Sequence, residues 1–146
     1  MTFSSDLKKF TKKADKNLSK TIRASAAQVF GAVIKSTPVG NPTIWKNSNV
    51  KDYVGGRLRN NWNTSLNSID ESANRPPDNS GSGSEGDLLI AMGRYKNGDT
   101  IYLSNSLPYA QAVEEGWSKQ RPHGMVKVNV KKWKRAMAAN ARKFNK

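Results

Sequence analysis

The sequence predicts an α+β protein, with a long N-terminal helix and a C-terminal helix flanking short antiparallel strands and long loops. Three observations predict it. Apolar residues recur at helical spacing over residues 7–33 and again over 126–144. Short alternating or apolar runs lie between them, at 58–66, 87–93 and 100–105. Stretches rich in Pro, Gly, Ser and Asn separate these runs.

The first helix follows from Leu7, Phe10, Ala14, Leu18, Ile22, Ala26, Val29 or Phe30, and Val33, one stripe with steps of three and four. Ser4 or Ser5 is the expected cap, Asp6 suits the first turn, and Thr37-Pro38 stops the helix. Such a helix spans roughly 40 Å, long for so small a chain. Residues 37–57, "TPVGNPTIWKNSNVKDYVGGR", have no periodicity, yet Trp45, Val50, Tyr53 and Val54 need a surface to rest on. An ordered arm is expected there.

"LRNNWNTSLNSID" alternates as a half-buried strand, with Trp62 on its apolar side. Residues 71–86, "ESANRPPDNSGSGSEG", read as a flexible loop. "DLLIAMG" and "TIYLSN" read as strands joined through "NGD" at 97–99, antiparallel because the connections are short. Ser106 is placed to cap a short helix with Pro108 in its first turn and Gly116 just past its end, packing by Tyr109, Ala112 and Val113. Val126, Val130, Trp133, Met137, Ala141 and Phe144 mark the last helix. "MVKVNV" also alternates like a strand, so a helix that begins only after Asn129, with Asn129 as its cap, is the alternative.

At 146 residues the chain reads as one domain, able to bury about 70% of its unfolded surface without a metal or disulfide. It has no Cys, which excludes thiolate chemistry. The start lacks an apolar run, so neither signal peptide nor membrane anchor is expected. Net charge is +14, unevenly spread. Residues 1–36 hold eight Lys/Arg against two acids (+6), residues 127–146 hold eight and no acid (+8), and the middle is neutral. Basic ends imply polyanions or acidic protein partners. The Lys run at 8, 9, 12, 13, 16 and 20 reads as a solvated face before a nucleic-acid face.

Catalytic chemistry finds little to work with. One His and no Cys disfavour a transition-metal site, no nucleophile elbow occurs, and "VGGRLR" lacks the GK[ST] of a phosphate-binding loop. No cofactor is expected. Glu114-Glu115 sits at a helix C-terminus, where negative charge opposes the dipole by about 0.3–1 kcal/mol each. Compensation is expected from Arg57, Arg59, Lys119 or Arg121, either within the chain or across a subunit interface. Trp45, Lys46, Tyr53, Arg57, Arg59 and Trp62 mix aromatics with cations, a combination that also holds single-stranded nucleic acid.

Thr37-Pro38-Val39, Gly56 to Arg59 with Trp62, Asn105 to Ala110, Glu114 with Gly116, and Gln120 with Pro122 occur in an order that resembles a bacteriophage family. It is the neck or tail-completion (head–tail joining) proteins of tailed phages, and the likeness spans most of residues 1–140. The resemblance implies helices packed on a small antiparallel sheet. It implies a non-catalytic virion protein, a six- or twelve-fold homo-oligomeric ring between the portal side of the capsid and the tail, assembled in the host cytoplasm. Genomic DNA would pass through the lumen without sequence-specific binding, and no membrane is involved. Interface candidates are Trp45, Tyr53, Arg57, Arg59, Tyr109, Glu114, Glu115 and Arg121. The alternative is a small basic cytosolic nucleic-acid-binding protein.

Overall fold

The N-terminal helix, α1 (Phe3–Ser36), starts four residues before its apolar stripe. The structure, a computed structural model, describes residues 2–44 and 51–146. Thr2 is the cap, displacing Ser4 and Ser5. Its hydroxyl accepts from the Ser5 N–H at 3.3 Å, and the Ser5 hydroxyl accepts from the Thr2 N–H at 3.2 Å. That reciprocal pair satisfies two orphan donors. The far end falls at Thr37, extended before Pro38 as expected.

Only the second half of α1 enters the core, through Thr21, Ser25, Ala26, Val29, Val33 and Ile34. The edge of the body is marked by Asn97, whose amide donates to the Asp15 carbonyl at 2.8 Å, and by Asn17, which donates to Asn145 at 3.1 Å. The turns before it project, leaving Phe3 83% and Phe10 70% exposed.

Residues 87–93 correct a sequence expectation: they form no strand but lie within α2 (Ser82–Arg94). The continuous apolar run hid a helical face made of Ser84, Leu88, Ala91, Met92 and the following Tyr95, all buried. The strand expected from 58 is also shorter. Arg59–Asn61 form a 3₁₀ turn, and β1 covers Asn63–Leu66. It pairs antiparallel with β2 (Ile101–Ser104), from Asn63 opposite Ser104 to Leu66 opposite Ile101. The protein is α+β, with α2 lying across β1 and against α1 and with α5 along α1.

The segment read as a flexible loop, 71–86, differs at its end, where residues 82–86 are helical. The rest is fastened by the run Asn60-Asn61-Trp62-Asn63. Asn61 accepts from the Arg75 N–H at 3.0 Å and donates to the Arg75 carbonyl at 3.1 Å. Asn60 donates to the Pro76 carbonyl and accepts from the Gly83 N–H, both at 2.8 Å. Asn63 reaches the carbonyls of Asp70 and Ser72. Arg75 donates to the Asn60 and Trp62 carbonyls and pairs with Asp87. Buried amides thus do what apolar residues do elsewhere, because each satisfies backbone groups of an irregular segment.

The short helix α3 (Ala110–Glu114) starts later than Ser106 implies, with Tyr109 at its N-cap. Its buried residues are Ala110 and Val113, with Leu107 buried just before it, while Tyr109 stays partly exposed. Residues 126–130 are helical (α4, Val126–Val130), and α5 follows at Trp133–Phe144. Asn129 is therefore no cap. It is buried, donating to the Met125 carbonyl at 2.8 Å and to the Ser36 hydroxyl at 2.9 Å.

Candidate functional site

A helix leaves its last carbonyls without intrahelical partners. Three long side chains bond carbonyls at the end of α1 and just past it, on Ser36, Thr37 and Val39. Arg121 Nε donates to the Ser36 carbonyl. Arg59 donates to the Thr37 carbonyl through Nε at 3.0 Å and Nη2 at 2.7 Å, and to the Asn79 carbonyl through Nη1 at 2.6 Å. Gln120 donates to the Val39 carbonyl at 3.1 Å. Two cations at a helix C-terminus also suit its dipole. The Trp62 indole N–H donates to the Thr37 hydroxyl at 2.8 Å, which itself donates to the Val33 carbonyl at 2.8 Å. Asn105 joins from the other side, donating to the Leu58 carbonyl at 2.9 Å. Arg59 and Arg121 thus bond backbone carbonyls at the end of α1, where the sequence proposed them as partners of Glu114 and Glu115.

Glu114 has backbone partners instead. Its carboxylate accepts from the N–H groups of Met125 at 2.6 Å, Val126 at 2.8 Å and Lys127 at 2.9 Å. It caps α4 from outside, supplying the negative charge that a helix N-terminus favours. Burial alone would raise its pKa, but these three donors and the nearby Lys127 outweigh burial and hold it below the ordinary value. Two glycines make the approach possible. A Cβ on Gly124 (φ +83°) would stand 2.5 Å from the Glu114 carbonyl, and one on Gly116 (φ +96°) 2.4 Å from the Pro122 carbonyl. Glu115 faces solvent, accepting from Gln111 at 2.9 Å.

Beside this corner opens a cleft of ≈ 630 Å³ between residues 38–40, 53–58 and 109–120. Tyr53, Arg57 and Tyr109 line it, with Trp117 at the rim and 80% exposed. Tyr53 lies so close over Gly40 that a Cβ there would be 2.2 Å from its hydroxyl. Burial pushes the Tyr109 phenol up from its usual value; the Arg57 guanidinium opposes that shift and Tyr53 adds to it. These three side chains share one electrostatic environment. Trp45 lies outside the described residues.

Of the sequence-predicted residues, the structure gathers Tyr53, Arg57 and Tyr109 in the cleft. It commits Arg59, Arg121 and Glu114 to the framework behind it. Trp117 was missed, though an aromatic directly after the helix-ending Gly116 has no helical stripe to join. Aromatic faces with an adjacent guanidinium and exposed amide-bearing loops suit recognition of another protein surface. Among the described residues no three His, Cys, Asp or Glu side chains are grouped to hold a metal ion. No protein-family model, curated protein or solved structure matches the chain.

Proposed function

We propose that the chain is a structural virion protein that forms a ring at the neck of a tailed phage, joining the capsid connector to the tail. One observation supports this above the rest. Thr37 to Val39, Gly56 to Arg59, Asn105, and Gln120 with Arg121, far apart in the chain, meet at the end of α1 and brace one cleft. Fourfold backbone bracing behind an open aromatic surface suits a part that must hold its shape against a neighbour. Tyr53, Tyr109 and Trp117 would be the apolar anchors, with Arg57 as a charged contact.

In this reading most of the basic charge meets acidic protein surfaces. A lumen that gripped phosphates would slow DNA passage, because each neutralised phosphate adds salt-sensitive affinity. The test is native mass by light scattering on nucleic-acid-free protein in physiological salt. A discrete large oligomer is expected, and Trp117→Ala combined with Tyr109→Ala should lower its order or the yield of joined particles. A monomer that binds DNA with a steep salt dependence would replace this reading with the nucleic-acid one.

A further inference from the structure

Away from the cleft, two helices present exposed apolar faces. The first is the projecting start of α1, where Phe3, Leu7, Phe10 and Leu18 recur on one side and are all exposed. The second is the outward side of α2. Opposite its buried face stand Gly86, Leu89, Ile90 and Gly93, spaced i, i+3, i+4, i+7. Leu89 is 68% and Ile90 55% exposed. A Cβ at Gly86 or Gly93 would meet nothing within 4 Å, so packing within the chain demands neither glycine. Each nevertheless costs about 0.8–1 kcal/mol against Ala inside a helix. Bare backbone on either side of an exposed apolar pair lets another helix come close.

Charge says which helix. Residues 68–94, which end with α2, hold five acids (Asp70, Glu71, Asp78, Glu85, Asp87) against Arg75 and Arg94, a net −3 in a chain of +14. Residues 3–16 hold five Lys against two Asp, a net +3. Pairing like with like sets equal charges together, whereas pairing the two unlike faces is complementary. The contact cannot close within one chain. α2 turns its buried side to α1, and α1 runs on as an unbroken helix away from it.

We infer that the first turns of α1 of one copy pack across the outward face of α2 of the next copy, Phe10 against Leu89 and Ile90. Repeated from copy to copy, such a contact is heterologous and generates a closed ring or an open filament. Exchanged reciprocally between two copies it would close a two-fold dimer, which the double variant below would show as dimers alone, overturning the ring. The contact deepens the ring reading and rests on it only for closure.

The chain has no Cys, so engineered pairs are unambiguous. The test uses F10C, I90C and the double variant, mildly oxidised with copper phenanthroline and run on non-reducing gels. The double variant should give a ladder of covalent dimers, trimers and higher species. Mixing the two single variants should give dimers only, and each alone should stay monomeric. Dimers of F10C alone at the level of the mixture would overturn the inference in favour of paired extensions. An oligomer by light scattering without the ladder would overturn this contact and leave the ring reading standing. A ladder with mass that grows without limit would keep the contact and remove the ring. A monomer without a ladder at the highest soluble concentration would remove both.

Discussion

Glu114 shows how a residue's surroundings decide its meaning. In sequence it is half of an acidic pair at an unfavourable helix end. In the structure its carboxylate bridges that end to three N–H groups of the next helix. Its pKa lies below the ordinary value of 4.5. The stability it contributes is therefore complete above the unfolded-state value and is lost as pH falls through the lower folded-state value. Glu114→Gln should lower thermal stability at neutral pH, by about 1–2 kcal/mol, in the range measured for lost caps. Below the folded-state pKa the variant and the parent should converge. A gap of constant size in thermal melts from pH 7 to pH 2 would show that the carboxylate charge is not what matters. Reversing Glu114 and Glu115 together is a poor test of assembly, since the first substitution disturbs the fold.

At the scale of elements, legibility followed periodicity. The α1 stripe and the apolar stripe of the last helices are readable as regular repeats, β2 as a short apolar run, and the end of α1 from Thr37-Pro38. α2 was not readable. Its first turn is Ser-Gly-Ser, and Leu89 and Ile90 fill the exposed side, so no alternation at helical period survives in the run 87–93. The clamp at the end of α1 was equally hidden, since hydrogen bonds from Arg59, Arg121 and Gln120 to distant carbonyls leave no local pattern. The cleft was partly visible: Tyr53 and Arg57 belong to the aromatic–cation mixture and Tyr109 to the interface candidates, but nothing in the chain order says that they meet. The open glycines of α2 give a separate prediction. Gly86→Ala and Gly93→Ala should each stabilise the monomer by about 0.4–1 kcal/mol, read from denaturant midpoints, because the native backbone is helical and the methyl has room. Destabilisation in both would mean that these positions are packed.

Across the whole molecule, order should grade along α1. Amides of residues 21–34, bonded within a buried stretch, should exchange with solvent slowly, and those of residues 3–14 quickly, because isolated turns of that length are marginal in water. Hydrogen exchange on monomer and assembly should show protection rising at 3–14 and 86–93 together. Protection at only one of them would mean that the two do not meet. The graded helix also has a mechanical consequence. Gripped at one end by two guanidinium groups and free at the other, α1 is a cantilever whose free part is roughly 20 Å long. Bending by about 5° within the gentle curvature ordinary helices show displaces its tip by about 2 Å while the clamped end stays still. In the proposed ring, a subunit built this way would meet neighbours at slightly unequal spacing without distorting its own body. Tolerance between parts, rather than tight fit alone, is what such a beam supplies.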